Sequence, residues 1–302
     1  MVDITHKSNS LRQAIASAIL TVSKIETIEA IKNRTVPKGD VFEFSRAAGL
    51  FAIKKTSDVI PDCHPLPVEF ASIKYDIDGL KIIITVEVQT IYKTGVEVEA
   101  MHGAAITALT IYDMLKPIDT TVEISAIKLE SKKGGKSNFK DELTTPLRCA
   151  VIICSDTVAA GTAKDKTGKA IINKLKKYNL SSILEVIPDE FSVIQEKAKQ
   201  LSDEGYSIIL FAGGTGLSPR DVTPDALTPL FYREIPGIME SARNYGQQRT
   251  PYAMLSRGVA GFIKKTLVIT LPGSTRGSEE TIEALFPYVL HVFRVAEGMK
   301  HE

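Results

Sequence analysis

The sequence of 302 residues has no tryptophan and three cysteines, Cys63, Cys149 and Cys154. An odd number of cysteines in a long chain is no disulfide framework, and none belongs to a C-x-x-C pair that would suggest zinc. No apolar run approaches the ~20 residues needed to span a bilayer. The opening stretch MVDITHKSNS lacks the apolar centre of a secretory signal. These absences point to the cytoplasm and away from a membrane. Charge of one sign is also missing: 37 Lys and Arg stand against 36 Asp and Glu, a net charge of +1. So even a balance gives no general reason to expect nucleic acid as a partner. No period of 20–50 residues marks a repeat architecture. The chemistry must therefore lie in local clusters.

What is present is an ordinary globular composition, 44% apolar and 24% charged, in a chain long enough for two domains. The first part reads as α+β. Helices are expected over 26–34 and over 40–55, the second with Asp40 as N-cap. Val- and Ile-rich strands over 68–76 and 80–90 flank the turn signal Asp78-Gly79, a hairpin. An Ala-rich helix over 96–115 stops before Pro117, and a strand follows over 120–129. This predicts a ferredoxin-like antiparallel sheet with helices. Residues 131–147 mix Gly, Ser, charge and Pro with little apolar content. That places a linker at 139–147, between a domain over 1–138 and another over 148–302. In the second domain, short apolar runs at 149–154, 182–187 and 207–212 alternate with helical stretches at 167–178 and 192–203. A final helix is expected from Thr281 onward. The pattern predicts an α/β three-layer unit with a mostly parallel sheet, whose ligands bind beyond the carboxyl ends of the strands.

In the first half, lysines, carboxylates and one histidine gather in short segments. Asp113 and Lys116 share a helix face, and a Gly-Gly pair between Lys132-Lys133 and Lys136 lets backbone N–H groups approach an anion. Such a set suits a polyphosphate substrate that needs acid/base work; solvated faces and surface ion pairs are the commoner reading of such residues. The motifs MVDITHK, KGDV, IPDCHPLP, KTGVEVEA, ALTIYDMLK and KKGGKS, in this order, resemble the cyclic pyranopterin monophosphate synthase family (MoaC type). The resemblance implies conversion of (8S)-3′,8-cyclo-7,8-dihydroguanosine 5′-triphosphate, a cyclic guanosine triphosphate intermediate, to cyclic pyranopterin monophosphate and pyrophosphate. It implies catalytic roles for Lys38, His64, Asp113 and Lys116, and substrate binding by Glu97, Glu99, Lys132 and Lys136. Two residues depart from the pattern. Asp62, beside His64, would hold that imidazole protonated, and His102 is expected to be exposed on its helix. Cys63 has no second cysteine nearby and reads as structural or incidental.

In the second half, Gly213-Gly214-Thr215-Gly216 follows a strand directly. It has neither the Lys-Ser/Thr of a P-loop nor the GxGxxG spacing, and such turns bind phosphate or serve only as turns. Downstream, Thr223 is expected as an N-cap with Pro224 as first helical residue. Asp189 and Asp221 fall on the same rim. They suit either Mg²⁺ held between phosphates or plain caps. The motifs CSDT, IPDE, GGTGLSPRDVTPDA, EIPGIMES, MLSRGVAG and LPGSTRG resemble the molybdopterin adenylyltransferase family (MogA/MoaB type). That resemblance implies AMP transfer from Mg-ATP to the terminal phosphate of molybdopterin, with Asp189 and Asp221 as a catalytic, metal-holding pair. Gly213, Gly214, Thr215 and Gly216 would be the phosphate loop. Asp156, Thr157, Ser256 and Arg257 would be ligand contacts, Arg257 as a phosphate clamp. Pro272, Gly273 and Ser274 would form a second loop. The alternative is a catalytically weak module that binds or scaffolds molybdopterin. Cys154 reads as a small core residue and His291 as packing. The two families imply a homo-oligomer, trimeric or hexameric.

Overall fold

The computed structural model describes residues 1–135, 146–296 and 298. Lys136 and most of the expected linker lie outside the described residues. The chain divides into two compact units, Met1–Phe139 and Lys140–Glu302.

The first unit runs β1 (Ser10–Thr21), α1 (Ile25–Lys32), α2 (Val41–Lys54), a short α3 (Thr56–Val59), β2 (Phe70–Asp78), β3 (Lys81–Tyr92), α4 (Glu97–Leu115) and β4 (Glu123–Lys133). The sheet order is β2-β3-β1-β4, antiparallel throughout, which is the ferredoxin-like arrangement. Asp40 caps α2: its Oδ1 accepts from the amides of Phe42 and Glu43, both at 3.1 Å. Gly79 turns the β2–β3 hairpin with φ +58°. The strand β1 has no counterpart in the sequence reading. Its inward positions are Ala14, Ala16, Ala18 and Leu20, all fully buried. Alanine carries little strand preference, so the run gives no strand signal. The small side chains let α4 lie close on the sheet, presenting its own buried Ala100, Ala104 and Ala108. Helices α2 and α4 cross through glycines for the same reason. A Cβ on Gly49 would stand 2.1 Å from Thr107 Oγ1, and one on Gly103 would stand 2.6 Å from Ile53 Cγ1.

The second unit runs β5 (Arg148–Cys154), α5 (Asp156–Ala159), α6 (Thr167–Lys176), β6 (Ser181–Ile187), α7 (Phe191–Asp203), β7 (Ile208–Ala212) and α8 (Thr223–Leu227). It continues with β8 (Arg233–Glu234), α9 (Pro236–Gln247), β9 (Ala260–Ile263), β10 (Thr266–Leu271), α10 (Thr275–Leu285) and α11 (His291–Ala296). The sheet order is β6-β5-β7-β10-β9-β8. The first four strands are parallel; β9 and β8 are antiparallel additions at one edge. Alternate residues of β5, β7 and β10 enter two separate cores. Val151, Leu210 and Ile269 face one layer of helices, while Ile152, Phe211 and Val268 face the other. That two-sided burial explains the continuous apolar runs.

Two expectations are corrected here. The final helix is broken: α10 ends at Leu285, Phe286 is extended (φ −92°, ψ 142°), and helical structure resumes as a 3-10 turn over Tyr288–Leu290 that leads into α11. Pro287 causes the break, because the residue before a proline is driven out of the α region. Thr223 is the first residue of α8, with Val222 in the cap position, so Thr223 is not the N-cap.

The α2–α4 crossing yields a prediction. Replacing Gly49 with Ala should destabilise the first unit by about 1–3 kcal/mol through overpacking, seen as a lower urea midpoint for that unit and none for the second.

Candidate functional site

The residues singled out in the first unit form two clusters at opposite ends of α4. At its C-terminal end, Asp113 sits between two ammonium groups. Lys38 Nζ donates to Asp113 Oδ2 at 2.6 Å and to its carbonyl at 2.8 Å. Lys116 Nζ meets Oδ1 at 2.7 Å. The hydrogen bonds from Lys116 and Lys38 hold the Asp113 carboxyl down to about 2, and Asp113 raises the Lys116 ammonium above its ordinary range.

At the N-terminal end, Glu97 Oε1 pairs with Lys132 Nζ at 3.1 Å. Glu99 is almost fully buried, 2% exposed. The Cys63 thiol donates to its Oε1 at 3.2 Å, and Oε2 has no partner. Burial, then the neighbouring Glu97, pushes Glu99 up. Burial and Glu99 together push the Cys63 thiol up to about 12, so Cys63 is a hydrogen-bond donor here and no nucleophile. His64 Nε2 lies 2.8 Å from the Val2 carbonyl. Asp62 does not pair with His64 as expected. It takes the Met1 amino group at 2.6 Å instead. His102 is half-buried, with Nδ1 3.2 Å from Thr56 Oγ1, a tether that its position on the helix gave no sign of. Glu99 and Asp113 stand fourteen positions apart on the helix, about 20 Å at 1.5 Å per residue. A single chain therefore does not unite the two clusters.

In the second unit the site is assembled at the carboxyl ends of β5, β6, β7 and β10. Asp156 follows β5, Asp189 follows β6, the Gly213–Gly216 loop follows β7, and Pro272–Ser274 follows β10. Gly213 (φ +112°) and Gly214 (φ +62°) take left-handed backbone. A Cβ on Gly213 would stand 2.2 Å from the Cys154 carbonyl. Asp189 Oδ1 is buried without a partner. Burial, then the Asp156 and Asp221 carboxylates, push Asp189 above the usual carboxylate range. Asp221 Oδ2 accepts from the Ser218 amide at 2.8 Å. Asp156 binds at both oxygens: Oδ1 accepts the Asp189 amide at 3.0 Å and Oδ2 pairs with Arg220. It thereby joins the two loops that carry Asp189 and Asp221.

Arg257, expected as a phosphate clamp, is committed to the protein. It donates to the Gly216 carbonyl at 2.8 Å, to the Asp221 carbonyl, and to both Asp225 oxygens at 3.0–3.1 Å. Thr157 lies 3.2 Å from Ser155 Oγ and its carbonyl accepts from Thr162, so it shapes the turn after β5. Thr215 is buried, and its carbonyl accepts the Arg257 amide at 3.1 Å. Ser274 caps α10.

Two cavities flank the Pro272–Ser274 loop. One of about 310 Å³ is lined by Met239, Ala242, Tyr252, Ser256, Pro272 and Ser274, among others. The other, about 270 Å³, includes Lys164, Lys166, Thr167, Gly213, Gly214 and Gly273. Among the described residues no group of three or more His, Cys, Asp or Glu is placed to hold a metal, and no helix is long and apolar enough to cross a membrane.

The sequence profile of the MoaC family matches residues 1–135, and that of a probable molybdopterin binding domain matches residues 150–291. A molybdenum cofactor biosynthesis bifunctional protein of Chlorobaculum tepidum is 39% identical over 302 residues, covering 100% of this chain and 96% of the relative. The chain belongs to this bifunctional family. A Synechococcus elongatus protein of the same description is 34% identical, covering 100% of this chain and 98% of the relative. A cyclic pyranopterin monophosphate synthase of Clostridium perfringens is 47% identical over 139 residues, 45% of this chain and 87% of that protein.

Sequence reasoning missed Arg220, Asp225, Lys164 and Lys166 as neighbours of the second site of the bifunctional chain. Lys164 and Lys166 precede a helix in a turn rich in charge, and nothing in their spacing points back to a glycine loop about 50 residues away. The Asp113 cluster gives a testable pH dependence. Its carboxyl pKa is depressed, so its ion pairs persist above the ordinary value of 3.8 and are lost only as pH falls through about 2. A carboxyl-carbon NMR titration should find Asp113 with a midpoint near 2, moving up when Lys116 is replaced by Ala.

Proposed function

We propose that the chain is a bifunctional enzyme of molybdenum cofactor biosynthesis. The first unit converts 3′,8-cyclo-7,8-dihydroguanosine triphosphate to cyclic pyranopterin monophosphate and pyrophosphate. The second adenylylates molybdopterin with Mg-ATP. The family membership supports the pathway. The buried, unpartnered Asp189 oxygen on the strand-end rim carries the second activity and with it the two-enzyme reading. A carboxylate placed there without a cation is costly, and a site that receives one accounts for it.

In the first unit, Asp113 stays ionised and keeps Lys116 protonated. Lys116 is then the proton donor to atoms released as the purine and ribose rings open. Lys38 and Lys132 supply charge to the triphosphate as the cyclic phosphate forms and pyrophosphate departs. Lys132, like His64, Glu97 and Glu99, belongs to the other end of α4. A second copy of the chain would bring that end to the lysine cluster, which supports a homo-oligomer. Phe44 and Phe51 on α2 and Met101 and Leu109 on α4 are exposed and apolar, as an interface between copies requires.

In the second unit, the residues fit magnesium: Asp189 offers a bare oxygen and Asp221 a second carboxylate, with substrate phosphates and water completing the shell. When bound, the ion would neutralise the charge that builds on the α-phosphate and the departing pyrophosphate. The glycine loop offers backbone N–H groups to phosphate. The cavity with Lys164 and Lys166 suits the polyphosphate, and the more apolar cavity at Tyr252 and Ser256 suits the pterin. A terminal phosphate oxygen of molybdopterin attacks the α-phosphorus, the bond to the β-phosphate breaks, and pyrophosphate leaves with the electron pair.

Two assays test the reading. Lys116→Ala should lower pyrophosphate release from the cyclic guanosine triphosphate substrate by two orders of magnitude or more, with the second activity intact. Asp221→Asn should abolish AMP transfer while molybdopterin still binds. Molybdopterin binding by the unsubstituted chain with no AMP transfer from Mg-ATP would leave the second unit a binding module.

A further inference from the structure

Two buried side-chain oxygens, neither paired with another nitrogen or oxygen, border one glycine of the second unit. Thr223 is fully buried, and its Oγ1 has no nitrogen or oxygen partner; the Cys154 thiol beside it is a weak hydrogen-bond neighbour. Asp189 Oδ1 likewise has no nitrogen or oxygen partner. A Cβ on Gly214 would stand 2.3 Å from Thr223 Oγ1 and 3.0 Å from Asp189 Oδ1. The space left by the missing side chain is therefore bordered by both oxygens.

The hydroxyl is not there for the helix. Thr223 is inside α8 rather than at its cap, and its backbone amide is already given to the Gly214 carbonyl at 3.1 Å. Nor is it there for packing alone, because valine has the same shape and no polar atom to leave bare. The thiol of Cys154 is the other polar group beside it. Burial pushes that thiol up to about 12, and a thiol is a weak partner. A buried polar group left without a partner calls for an ion or ligand that supplies one.

Asp189 and Asp221 are two carboxylates, and a hard cation wants more oxygens than they supply. Among the described residues no third acidic, histidine or cysteine side chain is placed to join them. A neutral hydroxyl can take that place, as the Ser or Thr of a P-loop does for Mg²⁺. We propose that Thr223 supplies the third protein oxygen of a divalent-cation site formed with Asp189 and Asp221. Gly214 is then the residue whose lack of a side chain leaves room for the contact. The proposal rests on the reading that the second unit uses magnesium.

The test is Mn²⁺ binding to the full chain, read from the electron paramagnetic resonance signal of the free ion, with and without α,β-methylene ATP. Thr223→Val should weaken Mn²⁺ binding tenfold or more. Thr223→Ser, which keeps the hydroxyl, should stay within threefold of the unsubstituted chain. Thr223→Ala gives the same comparison should the valine variant fail to fold. Unchanged affinity in a folded Val or Ala variant overturns the proposal. A Ser variant as weak as the Val variant also overturns it, since the methyl group would then be the cause. Failure of the unsubstituted chain to bind Mn²⁺ overturns the magnesium reading itself, a separate result.

Discussion

The ligand side of the second unit depends on one tight turn. After β7 the chain must reverse within van der Waals contact of the β5 terminus, and Gly213 and Gly214 do this with left-handed backbone that side chains rarely adopt. The Cys154 carbonyl stands against the first glycine, and the Thr223 hydroxyl and Asp189 carboxylate against the second. A side chain at either position would push apart β5, the loop after β6 and the start of α8. The rim that gathers Asp156, Asp189 and Asp221 exists because this turn is empty of side chains.

The first unit meets a comparable constraint with alanine. Helix α4 lies close on β1 because both contribute small residues, and it crosses α2 at Gly49 and Gly103. Close seating makes α4 a rigid spacer. It carries Glu97 and Glu99 at one end and Asp113 at the other, with Lys116 just past that end. Residues that look like a single constellation in sequence are thereby held apart, and the lysine–aspartate cluster acts as an ionised trio separate from the buried Glu99–Cys63 pair.

Much of this was legible in the residues. The hairpin at Asp78-Gly79, the Asp40 cap, the α4 stop before Pro117 and the parallel strands of the second unit all follow from local pattern, because turn chemistry and burial on two faces leave strong signals. The β1 strand was not legible, since its alanines are chosen for helix approach and carry no strand preference. The break at Phe286-Pro287 was hidden by a helical apolar spacing that continues on either side of the proline. In the candidate sites, ordered motifs named the candidate residues, but they did not give the partnerships. Nothing in sequence pairs Asp62 with the Met1 amino group, seats His102 against Thr56, or gives Arg257 to Gly216, Asp221 and Asp225. Those contacts join segments far apart in the chain and exist only once the strands have set the loops side by side.

The engagement of Arg257 has a consequence for recognition. Its guanidinium ties the glycine loop, the Asp221 turn and the start of α8 into one piece. The entropy of ordering that loop is settled during folding, so a ligand that meets the loop does not have to meet that cost again. A loop fixed in advance sorts ligands by shape at first encounter; in the proposed function, a phosphate would have to fit its amides as they stand, and one displaced by an ångström would find no rearrangement to accommodate it.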